Sequence, residues 1–261
     1  MGTIKVISLY SGSTGNATLV STESGDILID AGKSARSLCS ALCRAGGDLK
    51  RIRAIFVTHE HTDHISALAV LLKKNCIPVH MTEPTADAAE AACGKLPGLV
   101  RHPMLFSERV GDMTVSSFEL SHDSAACVGY RVDTDDGESF GIATDTGYVT
   151  EGMESALCGC ESVIIESNYD EDMLKFGSYP PDVKRRIGSR MGHLANPECA
   201  KFASRLAIRG TKRFMLAHIS RENNTPETAL LTVKKALAQF PDVRVSVARP
   251  DEETPFPEKK P

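Results

Sequence analysis

The sequence predicts an α/β fold in which two mixed β-sheets pack against each other as a layered sandwich. Three observations lead to this prediction. Short apolar runs typical of strands recur in both halves of the chain, helical segments lie between them, and several strands are close enough to form hairpins. The alternation lacks the strict strand-helix order of a dinucleotide-binding or barrel fold, and the second half repeats the first in outline.

The first half contains four predicted strands and two predicted helices. The strands are expected over residues 4–9, 16–20, 26–30 and 54–58. A helix is predicted from Ser34 to Arg44, because apolar residues recur there at helical spacing and Gly46-Gly47 supplies a stop signal. A second helix is predicted over residues 84–95.

The second half is expected to add five strands and two helices. The strands are predicted over residues 113–120, 128–133, 139–144, 162–167 and 213–217. Asn196 and Thr225 each precede a proline, and a capping side chain followed by proline is typical of a helix start. We therefore expect helices over residues 198–208 and 227–239.

The whole chain is predicted to form a single domain over residues 1–248, since no linker-like segment divides it. The segment 249–261 contains several prolines and charged residues, so it is predicted to be a mobile C-terminal tail.

Composition and charge exclude several classes of protein. The chain has 261 residues and an apolar fraction of 41%, which is enough for a sizeable core. A net charge of -4 argues against a protein that coats nucleic acid through bulk positive charge, so any phosphate must be held locally. No apolar stretch is long enough for a membrane helix and no export signal is recognised. We therefore expect a cytoplasmic protein with no membrane partner and with eight reduced cysteines.

The segment 58–64 places three histidines and one aspartate directly after an apolar strand. In an extended segment, His59 and His61 point to the same side and can bind one metal ion. If the chain then turns into a helix, Asp63 and His64 can reach a second ion. A lone histidine is more often a surface or hydrogen-bonded residue, but three within six residues match the ligand preference of zinc and similar ions.

This spacing resembles the His-x-His-x-Asp-His signature of the metallo-β-lactamase superfamily. The resemblance implies a four-layer αββα sandwich with the site at its edge. It also implies further ligands, with His122 completing the first metal site, Asp145 bridging both ions, and His218 completing the second site. Asp30 matches a residue that does not bind the metal itself but orients one of the metal ligands. Two divalent metal ions per chain are thus implied, and zinc, manganese and iron are all compatible with these ligands.

Four further segments combine glycine, hydroxyl, amide and carboxylate residues. They are Ser11-Gly12-Ser13-Thr14-Gly15-Asn16, Glu166-Ser167-Asn168-Tyr169-Asp170, Gly192-His193-Leu194-Ala195-Asn196, and Ala217-His218-Ile219-Ser220 with Asn223-Asn224. Together they resemble the YycJ/WalJ family of exonucleases with the metallo-β-lactamase fold. The resemblance implies a 5′-to-3′ exodeoxyribonuclease that acts on DNA and is linked to mismatch repair.

Two residues are predicted to act in hydrolysis. Asp63 lies on the metal edge, where it would orient the attacking water as well as bind metal. His193 follows a basic stretch and precedes a predicted helix start, so its imidazole could contact a phosphate or protonate the leaving oxygen. A structural histidine is the alternative for His193. His80 and His102 match no motif and are predicted to be structural or surface residues.

Four residues are predicted to contact phosphate. Arg186 and Arg190 belong to the basic stretch before His193, for which a solvated helix face is the alternative. Ser13 and Asn16 belong to the glycine-rich loop, whose N-H groups could form an anion nest or merely a tight turn.

Three other functions stay open. A phosphodiesterase acting on RNA or on a small cyclic phosphate would use the same residues. A glyoxalase-like thioester hydrolase would leave the basic stretch unexplained, and a non-catalytic nucleic-acid-binding scaffold would be expected to lose ligands that this chain retains. The flavin-linked diiron oxidoreductases are disfavoured, because they carry glutamate in place of His61 and need an attached flavin domain.

Overall fold

The computed structural model describes residues 4–257 and contains two seven-stranded mixed sheets packed face to face. Helices cover the outer face of each sheet, so the architecture is the αββα sandwich that the sequence predicts. Within residues 4–257, no helix is long and apolar enough to cross a membrane.

The first half of the chain supplies six strands and four helices. The strands are β1 (Lys5–Tyr10), β2 (Ala17–Ser21), β3 (Asp26–Ile29), β4 (Ile52–Phe56), β5 (Val79–Thr82) and β6 (Leu99–His102). The helices are α1 (Ala35–Arg44), α2 (Thr62–Ile65), α3 (Leu68–Leu72) and α4 (Glu83–Cys93), with a 3-10 turn at Leu49–Arg51.

The second half supplies eight strands and five helices. The strands are β7 (Ser107–Val110), β8 (Met113–Glu119), β9 (Val128–Thr134), β10 (Ser139–Ala143), β11 (Ser162–Glu166), β12 (Arg213–Ala217), β13 (Arg244–Val247) and β14 (Thr254–Pro255). The helices are α5 (Glu151–Leu157), α6 (Glu171–Phe176), α7 (Pro181–Ile187), α8 (Asn196–Ile208) and α9 (Pro226–Ala236).

The two sheets follow the same plan, which confirms the repetition seen in the sequence. In the first sheet β14, β1, β2 and β3 pair antiparallel, and β3 to β6 continue in parallel. In the second sheet β7 to β10 pair antiparallel, and β10 to β13 continue in parallel. The parallel strands decide the location of the site, because their carboxyl ends lie at one edge of each sheet.

Alternating side chains place an apolar layer on both faces of each sheet. In β3, Ile27 and Ile29 pack between the sheets, whereas Leu28 packs against the outer helices. In β11, Ile164 points inward and Ile165 contacts the helices of its own half. Each fully buried aliphatic side chain of this kind contributes about 1.5–3 kcal/mol, so three apolar layers stabilise the sandwich.

The two predicted helix caps have different outcomes. Thr225 accepts a hydrogen bond from a backbone N-H and begins α9, as predicted. The predicted cap at Asn196 is wrong, because the residue before α8 is Ala195 and no side chain caps its first turn. The Asn196 amide is buried and exchanges hydrogen bonds with Asn224, while Ser167 donates to its oxygen. The conformation of the Asn196 side chain is therefore determined by its buried polar partners, and this side chain does not cap the helix.

The C-terminal segment differs from the mobile tail predicted from residue 249 onward. Strand β14 pairs with β1, and Phe256 is only 8% exposed. The Phe256 ring lies 6.0 Å from that of Phe140 in the layer between the sheets. The packed body thus extends through Phe256 rather than ending at 248, because this aromatic side chain is buried in the core. Residues 258–261 of the predicted tail lie outside the described residues.

Candidate active site

The predicted site residues follow the carboxyl ends of parallel strands in both sheets. Asp30 follows β3 and His59 lies just beyond β4, while Asp145 lies just beyond β10 and His218 follows β12. Because these strand ends lie at the same edge of the sandwich, the two sheets bring the four side chains together there.

Three of these residues have a left-handed backbone. The φ angles are 62° at Asp30, 63° at Asp145 and 54° at His218. This conformation costs about 1–3 kcal/mol for a residue other than glycine, and it persists where the surrounding structure fixes it. The backbone strain therefore coincides with the predicted site.

His59, His61 and His122 form the first group of candidate ligands. One ligand atom from each lies within 4.8 Å of the others. The ring centroid of His59 is 4.6 Å from that of His61 and 5.1 Å from that of His122. His122 Nδ1 donates to the carbonyl oxygen of Gly192 over 3.0 Å, which leaves Nε2 as the nitrogen for a metal ion.

Asp63, His64 and His218 form the second group of candidate ligands. Asp145 groups with His59 and His64, so its carboxylate lies between the two groups. The structure thus brings together all seven residues that the sequence predicts as metal ligands, with the Asp145 carboxylate between the two groups.

Asp30 lies behind the second group and is almost fully buried. Its carboxylate accepts hydrogen bonds from the backbone N-H of Thr58 and from His64 Nδ1, each over 2.8 Å. Because Nδ1 of His64 carries the proton, its Nε2 is left to face Asp145 at 3.3 Å. Asp30 therefore orients the imidazole of His64 toward the cleft.

Three buried atoms of the candidate ligands show whether this arrangement fits a metal ion. His59 Nε2, Asp145 Oδ2 and His218 Nε2 have no hydrogen-bond partner among the residues that the structure describes. Leaving a buried polar atom unpaired costs about 1–3 kcal/mol, so several in one cleft call for a bound partner. Imidazole nitrogens and carboxylate oxygens suit divalent ions, and the cleft therefore fits divalent metal binding.

Glu166 begins the segment 166–170, and the sequence predicts no individual role for it. It ends β11, between the strands that lead to Asp145 and His218, and it is fully buried. Its Oε1 lies 2.8 Å from His193 Nδ1 and 3.1 Å from His218 Nδ1, and its Oε2 accepts from two backbone N-H groups. A carboxylate at the end of a strand flanked by two ligand-bearing strands is the signal that could have identified it.

His193 lies over the cleft, between the two groups of ligands. Its ring centroid is 5.2 Å from those of both His122 and His218, and its side chain is 21% exposed. Burial lowers the pKa of His193, but the adjacent Glu166 carboxylate raises it above its ordinary value. Because Nδ1 is bonded to Glu166, Nε2 is the nitrogen available to a substrate.

The pKa values in the cleft reflect mutual stabilisation of opposite charges. Burial raises the pKa of Asp145, but His218 and His64 outweigh this effect and hold it well below its usual range. Burial likewise lowers the pKa of His218, but the Asp145, Asp63 and Glu166 carboxylates raise it to about 10. Coordination of a metal ion would displace the proton that His218 otherwise holds.

The glycine-rich loop is a tight turn that braces a candidate metal ligand. The N-H of Gly12 donates to the Asn16 side chain over 2.8 Å, and the N-H of Gly15 donates to the carbonyl oxygen of Gly12 over 2.9 Å. These two donors are therefore not open to an anion. Asn16 Nδ2 lies 3.0 Å from Asp63 Oδ2, so Asn16 reaches the metal cleft, whereas Ser13 is exposed on the loop.

The two predicted arginine contacts lie near the first group of ligands. Arg186 on α7 forms an ion pair with Asp123, the residue after His122, and its side chain is 65% exposed. The Arg190 guanidinium lies 3.7 Å from the ring centroid of Tyr148. Arg186 thus lies at the rim of the cleft, while Arg190 stacks on an aromatic ring beside it.

His80 and His102 contact each other rather than the cleft. His80 Nδ1 lies 2.9 Å from His102 Nε2, and His80 stacks on Phe56 with ring centroids 4.7 Å apart. Both histidines also lie near Glu108, and their structural or surface role stays a prediction.

Known proteins resemble this chain over most of its length. Residues 26–219 match the family described as the beta-lactamase superfamily domain. The chain is 37% identical over 235 residues to the exodeoxyribonuclease YycJ of Bacillus anthracis, which covers 88% of each chain. It is 36% identical over 259 residues to the exodeoxyribonuclease WalJ of Streptococcus pneumoniae serotype 2, which covers 96% of each chain.

Solved structures share the fold at lower sequence identity. The metallo-β-lactamase fold protein YhfI of Bacillus subtilis has a TM-score of 0.76 at 16% identity, covering 97% of this chain and 99% of that one. The short form of human tRNase Z has a TM-score of 0.69 at 19% identity, covering 97% of this chain and 100% of that one. At these identities the two structures support the fold alone.

Proposed function

Because the chain belongs to the YycJ/WalJ family of the metallo-β-lactamase superfamily, a family of metal-dependent nucleases, we propose that it is a 5′-to-3′ exodeoxyribonuclease. The observation that carries this proposal is the His193–Glu166 pair, which lies against the seven candidate metal ligands. A thioester hydrolase would not need an imidazole held in this way beside the metal cleft.

We further propose that the cleft holds two divalent ions, which His and Asp ligands would allow to be zinc, manganese or iron. The first ion would be bound by His59, His61 and His122, the second by Asp63, His64 and His218, and Asp145 would contact both. Two such ions activate water and neutralise the negative charge that develops on a phosphodiester during displacement.

Asp63 would orient the attacking water within this cleft. Its side chain is 23% exposed, so one carboxylate oxygen can meet solvent while Asn16 holds the other. Burial raises the pKa of Asp63, but the nearby imidazoles of His218 and His64 hold it well below its usual range. The carboxylate therefore stays ionised and accepts a hydrogen bond from water at neutral pH.

His193 would donate a proton to the leaving oxygen. Glu166 accepts the Nδ1 proton and stabilises the charged imidazolium, so that Nε2 also carries a proton to give. Arg186 at the rim would break its ion pair with Asp123 and contact a neighbouring phosphate of the substrate instead.

DNA is the proposed substrate because the matched relatives are named exodeoxyribonucleases. A phosphodiesterase acting on RNA would use the same cleft. The experiment must therefore distinguish this alternative from an exonuclease that acts on DNA. The link to mismatch repair stays a prediction.

The test is to incubate the metal-loaded protein with end-labelled linear DNA and RNA, single- and double-stranded. We expect metal-dependent release of nucleotides from the 5′ end of DNA, with covalently closed circular DNA intact because it offers no end. Preferential degradation of RNA would contradict the proposal. Hydrolysis of a glutathione thioester without cleavage of any phosphodiester would also contradict it.

Replacement of His193 tests its assignment as the acid. His193→Ala should retain the metal content of the wild type and lose about 100- to 10,000-fold in turnover of DNA, which is typical for a general acid. A nitrophenyl phosphodiester needs less protonation of its leaving group and should recover part of the loss. His102→Ala, which removes an imidazole outside the cleft, is the control. Wild-type turnover or the loss of one metal equivalent in His193→Ala would show that the role is assigned wrongly.

A further inference from the structure

Lys33 has a strained backbone that the metal cleft does not explain. Among residues 4–257, four residues other than glycine have a left-handed φ, and three of them are Asp30, Asp145 and His218. The fourth is Lys33, with a φ of 65°, which belongs to neither group of ligands. Backbone strain of this kind concentrates at binding sites, so Lys33 calls for a functional explanation of its own.

The side chain of Lys33 joins a second cation around one carboxylate. Lys33 Nζ donates to Asp251 Oδ1 over 2.8 Å and to Thr14 Oγ1 over 3.1 Å. Arg221 donates to the other carboxylate oxygen, Asp251 Oδ2, over 2.6 Å, and lies 3.4 Å from the same Thr14 hydroxyl. The Lys33 stem packs over Gly15, where a β-carbon would lie 2.5 Å from it. Two cations thus converge on a pair of anionic oxygens, and both also contact the Thr14 hydroxyl.

This cluster lies next to the second group of ligands. Thr14 is in the loop that contains Asn16, and Asn16 Nδ2 contacts the ligand Asp63. The carbonyl oxygen of Asn16 also accepts from the N-H of Gly32, the residue before Lys33, over 2.8 Å. On the other side, Arg221 is three residues after His218. An anion held by Lys33 would therefore lie beside the metal cleft.

The carboxylate that now occupies this position is poorly protected from exchange. The side chains of Arg221 and Asp251 are 54% and 56% exposed, and ion pairs exposed to this degree contribute little net stability. A phosphate presents the same pair of anionic oxygens to two cations, and its charge-assisted hydrogen bonds would replace those of Asp251.

On the basis of the proposed nuclease function, we propose that Lys33 and Arg221 bind a phosphate of the substrate strand, and that Asp251 is a competing carboxylate which the phosphate displaces. The site extends substrate binding from the metal cleft toward the C-terminal segment. Neither cation would take part in the chemical step.

The test compares KM and kcat for a linear DNA oligonucleotide in three variants at about 100 mM salt. Lys33→Gln and Arg221→Gln should each raise KM about 5- to 10-fold and reduce the slope of log KM against log salt by about one. Asp251→Asn should instead lower KM several-fold, because it removes the competitor. All three should turn over a nitrophenyl phosphodiester at the wild-type rate, since that small substrate does not reach the site.

Lys50→Gln and Arg209→Gln are the matched controls, because both side chains are exposed and Lys50 precedes β4 at the end opposite the cleft. Oligonucleotides with a 5′-phosphate and a 5′-hydroxyl identify the ligand. If the site binds the terminal phosphate, Lys33→Gln and Arg221→Gln should lose affinity only for the oligonucleotide with the 5′-phosphate. If it binds an internal phosphate, the two variants should lose affinity equally for both oligonucleotides.

An unchanged KM in Lys33→Gln and Arg221→Gln, or a raised KM in Asp251→Asn, would overturn the proposal in favour of a structural ion pair. If the wild-type protein did not degrade DNA, the proposed function itself would fail. The same oligonucleotides would then still test the site by equilibrium binding, measured as fluorescence anisotropy.

Discussion

Replacement of Glu166 by glutamine tests the arrangement of the cleft most sharply. The carboxylate accepts four hydrogen bonds, two from imidazole Nδ1 atoms and two from the backbone N-H groups of Thr146 and Leu194. Glutamine has the same shape but only one accepting oxygen, so two donors must face an amide NH2 group. A hydrogen bond to a charged group contributes about 1.5–3 kcal/mol, and we expect Glu166→Gln to lower the free energy of unfolding by about 3 kcal/mol or more.

The same substitution should alter the protonation of the two histidines. If the amide NH2 faces them, His193 and His218 must accept at Nδ1 and therefore carry their proton on Nε2. A proton on His218 Nε2 prevents coordination, and the loss of such an orienting partner typically costs about 10- to 100-fold in metal affinity or activity. The variant should therefore lose metal at limiting free-ion concentration and turn over DNA more slowly.

Three measurements check this reasoning, namely urea unfolding, metal content by mass spectrometry at buffered free metal, and turnover of linear DNA. Glu23→Gln makes the same chemical change at an exposed position and serves as the control. If Glu166→Gln retained the wild-type unfolding midpoint, metal content and turnover, Glu166 would not orient the two histidines and the reasoning would be refuted.

Two further predictions concern metal binding and the C-terminal segment. Because the pKa of His218 is raised to about 10, its imidazole is protonated at pH 7.5 without metal, and coordination should release at least one proton. Titration calorimetry in buffers of different ionisation enthalpy measures this release, and a binding enthalpy independent of the buffer would contradict it. Phe256→Ala should lower the free energy of unfolding by about 3–5 kcal/mol in urea, because the side chain is buried between the sheets. Phe176→Ala, at a position 75% exposed, should change it little, and equal effects of the two substitutions would support a loosely attached segment.

Local patterns in the sequence predict much of the sandwich. Strand and helix positions follow from the spacing of apolar residues, and the predicted strand over residues 213–217 coincides with β12. The Asn196 cap fails because a local rule competes with buried hydrogen bonds to Asn224, which lies on another segment. The tail prediction fails for a related reason, since a proline-rich composition does not reveal that Phe256 packs in the core.

The sequence by itself predicted the seven candidate metal ligands, four of them as one dense motif over residues 58–64 and the other three through the resemblance to the metallo-β-lactamase superfamily. Only the tertiary structure decided which distant residues pair around those ligands. Glu166 and His193 are 27 residues apart, and Lys33 and Asp251 are 218 residues apart. Such pairs form where distant strand ends meet at one edge of the sandwich. A pattern with the period of a helix or strand records only near neighbours along the chain, so it does not encode these contacts.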